Sequence, residues 1–167
     1  MSIGRFPRFL WEKGKMNTLT VTIRTGKDNM DIPMIHDYLS TGSYWAQGIS
    51  YAVVEGALAH SFCMGAFVEG QQVAFARLIT DYHTFGWLAD VFVLPAYRGR
   101  GISKQMMAFL KEQRWTKGLR RIMLSTLDAH ELYRQYGFND ISKPLSLMEI
   151  YRPDIHRHFT VTEGTCG

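Results

Sequence analysis

Cysteine is scarce in this chain, with Cys63 in an apolar run and Cys166 beside the C-terminus as the only two. Neither a disulfide framework nor a zinc pattern can be built from so distant a pair, and a reducing cytoplasm is the expected setting. Long hydrophobic runs are missing as well. No apolar stretch approaches the roughly 20 residues that a bilayer crossing requires, and the opening MSIGRFPRFLWEKGKM lacks the apolar segment of an export signal. That opening is basic and aromatic, and it is expected to be a loosely docked extension. Proline is limited to five residues, and no repeat or low-complexity tract occurs. Collagen-like, disordered and coiled-coil architectures are thereby excluded. No block of like charge is present either. Nineteen Lys and Arg against 15 Asp and Glu leave a formal charge of +4 and a pI of about 9.1. This mild excess favours an anionic ligand without resembling a nucleic-acid-binding tail.

What is present suits one folding unit. Hydrophobic residues make up 46% of the 167 residues, enough for a sizeable core and too few residues for a second domain. Residues 19–24 (LTVTIR) alternate at the two-residue period of a half-buried strand and run into a turn at Gly26-Lys27-Asp28-Asn29. After the acidic cap Asp31, the positions Ile32, Ile35, Tyr38 and Leu39 recur at helical spacing, ending near Thr41-Gly42. Ser50 caps a second helix over residues 50–59. Residues 62–68 and 72–79 form a hairpin about Glu69-Gly70-Gln71, and the apolar FGWLADVFVL of residues 85–94 reads as a central strand stopped by Pro95. A glycine loop then opens a helix over 103–117, with Ile102, Met106, Phe109 and Leu110 on one face and Gly118 as its end. A strand over 121–126, a short helix over 128–136 closed by Gly137, and a last strand pair around Lys143-Pro144 complete the order, the final strand being residues 145–151. The expected fold is a single α/β (α+β) domain, a mixed sheet with helices on both faces. Its expected bounds are 18–152, between the extension 1–17 and a tail 153–167.

The junction of the 85–94 strand with the following helix carries the chemistry. Arg98-Gly99-Arg100-Gly101-Ile102-Ser103 lies directly before the helical pattern. The first N–H groups of a helix have no intrahelical acceptor and carry the positive end of its dipole, so backbone donors alone can hold a phosphate there. Glycines allow close approach, and two arginines add charge-assisted contacts. The P-loop pattern G-x-x-x-x-G-K-[ST] and the dinucleotide pattern G-x-G-x-x-G are both absent.

Residues 94–103 (LPAYRGRGIS) instead resemble the acetyl-CoA pyrophosphate loop of the GNAT superfamily of N-acetyltransferases, [Q/R]-x-x-G-x-[G/A], through Arg98, Gly101 and Ser103. Ser103 departs from the usual Gly or Ala but is small and suited to a helix start. The preceding LADVFV resembles the superfamily's fourth strand, and DAHELYRQYGF (128–138) resembles its A-x-x-L-Y-x-x-x-G-F segment. Together with the element order the resemblance covers residues 19–151.

That resemblance implies a sheet of six to seven mostly antiparallel strands that splays between the fourth and fifth. It implies acetyl-CoA as cosubstrate, bound by Arg98, Gly99, Arg100, Gly101, Ile102 and Ser103, by the strand backbone at Val91, Phe92 and Val93, and by Asp128, Ala129 and Tyr133. The reaction it implies is N-acetylation by direct amine attack through a tetrahedral intermediate, stabilised by a backbone N–H near Val91. Tyr133 would give a proton to the departing thiolate. No metal is implied. Asp90, the only acid in a long apolar strand, would orient the amine or accept its proton, or else cap a neighbouring backbone N–H. Glu55, His60, Asp81 and His83 are further titratable groups that could face the acceptor cleft, although a lone His in a loop is more often a surface group. Tyr44, Trp45, Tyr82 and Trp87 would border the acceptor pocket, since aromatic walls suit an apolar side chain or a cation. The expected partner is a small-molecule or peptide amine, with no nucleic acid and no membrane, and a homodimer is allowed. The alternative is an acyl-CoA sensor without efficient turnover.

Overall fold

The computed structural model describes residues 19–158, so the N-terminal extension and most of the tail lie outside the described residues. Five strands form one sheet in the order β1-β2-β3-β4-β5: Thr22–Thr25, Phe62–Val68, Gln71–Thr80, Phe85–Val93 and Arg121–Leu124. Every pairing is antiparallel except β4 with β5, which is parallel. Helices α1 (Ile32–Asp37), α2 (Tyr51–Ala59), α3 (Ile102–Glu112), α4 (His130–Arg134) and α5 (Ile155–His158) complete the fold. Among the described residues no helix is long and apolar enough to cross a membrane.

The expected caps hold both early helices. The Asp31 carboxylate accepts from the Met34 N–H at 3.0 Å, and the Ser50 hydroxyl accepts from Val53 N–H at 3.4 Å. A turn of π-helix, Tyr38–Gly42, prolongs α1. Gln72 fastens this layer to the sheet although it is buried: its Oε1 accepts from Asp31 N–H at 2.7 Å and its Nε2 donates to Ala74 O at 3.1 Å. Gly65 opposite makes room, because a Cβ there would lie 2.8 Å from the Gln72 amide nitrogen.

The sheet carries a core on each face. Ile35, Leu39, Val54 and Leu58 of the α1–α2 layer pack with Cys63, Phe67, Phe75 and Phe92. Met106, Met107 and Leu110 of α3 pack with Met64, Ala66, Ala76, Leu78 and Leu88 on the other face. Strict alternation along β4 would put Leu88 and Phe92 on the same side. They lie on opposite sides because Phe75 pairs with Phe92 while Arg77 pairs with Ala89, so β4 carries one extra residue. The extra residue centres on Asp90, whose φ of 53° is left-handed.

Several expectations are corrected. The described residues hold five strands, not six or seven. No strand forms in 138–151, where a 3-10 turn spans Pro144–Ser146. In LSLMEIY the apolar positions Leu145 and Leu147 change parity at Met148 and Ile150, so neither face of a strand there would be uniformly apolar. Helix α3 stops at Glu112 instead of reaching 117, because the Thr116 hydroxyl donates to Leu110 O and Gln113 O at 3.1 and 2.7 Å and draws the chain into a new turn. The first hairpin turn needs only Glu69 and Gly70, both at positive φ.

Candidate active site

A short 3-10 turn at Pro95–Tyr97 leads from β4 to the glycine loop. Gly99 and Gly101 adopt φ of 73° and 75°, and a Cβ on either would meet nothing within 4 Å. The left-handed backbone selects glycine here, and the space over it is open. Gly101 is the N-cap of α3 and offers no side-chain acceptor, so the first-turn N–H groups face that space unpartnered. Arg98 is held beside them. Its Nε donates to Val93 O at 3.0 Å and its Nη2 to the Tyr38 hydroxyl at 2.9 Å. The Tyr38 ring stacks on Phe92 at 3.9 Å between centroids and 9° between planes. The Arg100 guanidinium lies over the Tyr97 ring, 5.6 Å from its centroid.

The β4–β5 pairing ends at Leu88 with Leu124. Beyond it residues 89–93 have no β5 partner, which is the expected splay. A cavity of about 550 Å³ follows this open half of β4 from the glycine loop to α4, lined by Tyr38, Arg98, Gly101, Val93, Leu132 and Tyr133 among others. A narrower cleft of about 320 Å³ continues past Trp87, Asp90, Ser125 and Thr126. Trp45, Val91, Asp128, Ala129 and Tyr133 line both, so the two spaces meet around these residues.

Asp90 lies in the narrower cleft with both oxygens engaged. Arg77 Nε donates to Oδ2 at 2.5 Å and the Trp45 indole N–H to Oδ1 at 3.0 Å, while Arg77 Nη1 donates to the Ser61 hydroxyl at 3.1 Å. The Arg77 and Asp90 side chains are only 16% and 12% exposed. Tyr133 is buried against Phe138 in an edge-to-face contact. Burial, followed by the Asp128 carboxylate and Tyr44, pushes its hydroxyl up to about 12. Cys63 is wholly buried, and burial pushes its thiol up to about 11, so it is not a nucleophile at neutral pH.

The structure brings together most of the residues singled out in the sequence. Val91, Phe92, Val93, Arg98, Gly99, Gly101, Ile102, Ser103, Asp128, Ala129 and Tyr133 all line the wide cavity, joined by Tyr44 and Trp45. Trp87 and Asp90 line the cleft. Arg100 lines neither space, and Tyr82 sits in the β3–β4 turn, edge-on to Trp115 at 4.8 Å. Asp81 of the same turn is held below the usual carboxylate range by hydrogen bonds from the Thr84 hydroxyl and the N–H groups of Thr84, His83 and Phe85. Sequence reasoning missed Tyr38 and Arg77. Tyr38 was hidden by its helical spacing with core residues. Arg77 was detectable, because an arginine inside the apolar run VAFARLI calls for a buried acid, and the following strand contains only Asp90.

Comparison with known proteins agrees with this geometry. The Acetyltransferase (GNAT) family profile matches residues 31–138. A GNAT-family protein of known crystal structure from Xanthomonas campestris pv. campestris is 49% identical, with a TM-score of 0.80, over 82% of this chain and 96% of that one. The chain therefore belongs to the GNAT acetyltransferase family. A curated Gibberella zeae relative named "Putative acetyltransferase FG08082" is 33% identical over 118 residues, 58% of this chain. The match spans 66% of that protein, just under two thirds of its length. A Clostridium acetobutylicum protein described as a predicted acetyltransferase, in a crystal structure with acetyl-CoA, shares the fold at a TM-score of 0.59 and 18% identity, over 83% of this chain and 99% of that one.

Proposed function

We propose that the chain transfers the acetyl group of acetyl-CoA to a primary amine of a small molecule or peptide. The observation that carries this reading is the continuity of the wide cavity, from an anion-receptive helix start to Tyr133. The unpartnered N–H groups of α3, the open glycine backbone and the anchored Arg98 fit the diphosphate of coenzyme A. The edge of β4 that β5 leaves free over Val91, Phe92 and Val93 offers hydrogen bonds to the pantetheine amides beside the Val93 carbonyl already taken by Arg98, and Asp128 and Ala129 flank the arm across the splay.

Direct attack then follows from placement. A neutral amine entering by the narrower cleft reaches the acetyl carbon where the two spaces join. A C–N bond forms through a tetrahedral intermediate, the C–S bond breaks, and the amine nitrogen releases its proton to water in the open cleft. Tyr133 still holds its proton at neutral pH, donates it to the departing sulfur and is reprotonated from solvent. Asp90 is saturated by Arg77 and Trp45. Its role in this reading is to fix the indole where cleft and cavity join, so it orients the amine and does not take its proton.

On the same reading the acting domain is residues 18–152, flanked by 1–17 and 153–167, in a reducing cytoplasm. Titration calorimetry with acetyl-CoA, followed by thiol release over an amine panel, tests the proposal. Saturable binding with amine-dependent thiol release is expected. No heat and no melting shift at millimolar acetyl-CoA overturns it, whereas binding without release over the whole panel replaces it with the acyl-CoA sensor.

A further inference from the structure

The narrower cleft is selective in charge. Its ionisable lining consists of two carboxylates, Asp90 and Asp128, and Tyr133, with no Lys, Arg or His among the described lining residues. Arg77 behind the wall neutralises Asp90. Asp128 is exposed and has no hydrogen-bond or ion-pair partner among the described residues. The adjoining groove beyond Ser125 and Thr126 contains His130 and Arg134, but Arg134 is already paired with Glu131 and Asp140 at 2.8 and 3.1 Å. Within the cleft's own lining one negative charge, that of Asp128, is therefore left over. Trp45 and Trp87 border the same space, and the Trp45 ring is fixed by its bond to Asp90.

We infer, building on the acetyl-transfer reading, that the acceptor is a compact amine bearing a second positive charge and no acid group, and that Asp128 selects for that charge. The attacking nitrogen must be neutral, so it cannot balance a carboxylate during the reaction. A second ammonium can, and aromatic walls such as Trp45 and Trp87 suit a cation. An acceptor carrying a phosphate or carboxylate would meet Asp128 with no cation in the cleft lining to offset the repulsion. The volume, about 320 Å³, lies at the small end of ligand pockets and suits a short alkyl chain.

Three amines of equal length test this: 1,4-diaminobutane, 1-aminobutane and 4-aminobutanoate, each with saturating acetyl-CoA and the full chain. The expected order of kcat/KM is diamine, monoamine, amino acid, with about 100-fold between the extremes. Asp128→Asn should shrink that ratio by about tenfold or more, and Asp128→Glu should keep most of it. A 4-aminobutanoate rate equal to the diamine's, or a ratio unmoved by Asp128→Asn, overturns the inference. If none of the three turns over, calorimetry of 1,4-diaminobutane against the protein, with and without coenzyme A, decides: no binding overturns it, and binding that is lost in Asp128→Asn supports it. A failure of acetyl-CoA to bind the unmodified protein counts against the acetyl-transfer reading, while the diamine titration of the free protein still judges the cleft.

Discussion

Asp90→Asn isolates the charge of the buried pair from its shape. Asparagine fills the same volume and tolerates the left-handed backbone at φ 53°, so the substitution removes the ionic contact and, with the amide oxygen kept by Arg77, the acceptor of the Trp45 indole. Afterwards the Arg77 guanidinium, with its side chain 16% exposed, keeps only the Ser61 hydroxyl and an amide oxygen as partners. Removing one member of a buried ion pair typically costs about 3–5 kcal/mol because the survivor stays charged in a poorly solvated site. The retained amide oxygen and the residual exposure lower this to about 2–3 kcal/mol. For a domain of this size that corresponds to a fall in Tm of roughly 5–12 °C.

Calorimetric or urea unfolding of Asp90→Asn, Arg77→Met and the double variant measures it. The double variant has no stranded charge and should be more stable than the sum of the two losses predicts, by about 1.5 kcal/mol or more. Strict additivity, or a loss below about 0.5 kcal/mol in Asp90→Asn, would refute the reasoning. Kinetics add an independent check. Asp90 does not line the wide cavity, so acetyl-CoA affinity should survive while the amine KM rises as Trp45 loosens. A general base at this position would instead show as a collapse of kcat with unchanged amine KM.

Gly101→Val forces a β-branched residue to φ 75° and fills the open space over the loop, and calorimetry should find acetyl-CoA binding at least about tenfold weaker. Tyr38→Phe removes the hydroxyl that accepts from Arg98; it should weaken acetyl-CoA binding about three- to tenfold yet leave acetyl-pantetheine, which lacks the diphosphate, unaffected. Tyr133→Phe should lower kcat by about 10²-fold or more at unchanged acetyl-CoA affinity, and unchanged turnover would remove its acid role. Its folded pKa of about 12 lies above the usual 10, so the associated stability is complete below pH 10 and is lost as pH rises toward 12. Titration of tyrosinate absorbance should accordingly show one late-ionising tyrosine that disappears in Tyr133→Phe.

Local physics made the first two thirds of the chain readable. Asp31 and Ser50 cap the helices they precede, and apolar runs bounded by a turn and by Pro95 located β2, β3 and β4 almost to the residue. The glycine loop was readable because positive-φ positions before a helix leave few alternatives to glycine. Legibility failed where long-range contacts decide. The end of α3 depends on Thr116 reaching back to carbonyls, and nothing in the helical pattern of residues 103–117 announces it. The apolar residues of 145–151 suggested a strand, but their parity changes at Met148, and a strand also needs a neighbouring edge, where β5 offers four residues already bound to β4 on one side. Tyr82 and Tyr44 are indistinguishable by residue type, yet β4 separates the turn that holds one from the cavity bordered by the other.

One extra residue in β4 connects these parts. Without the bulge at Asp90, Phe92 would share a face with Leu88 and pack toward α3, and Tyr38 would lose the ring on which it stacks. Arg98 would then lose the hydroxyl that holds it over the helix start. The same inserted residue places the Asp90 carboxylate between Arg77 and Trp45, and β4 parts from β5 immediately before it, after Leu88. The left-handed backbone at one position thus builds the floor of the cofactor cavity and the wall of the acceptor cleft together. The ion pair that secures Asp90 is best understood as what holds that backbone in place, and this is why its loss should register first in stability and in amine binding.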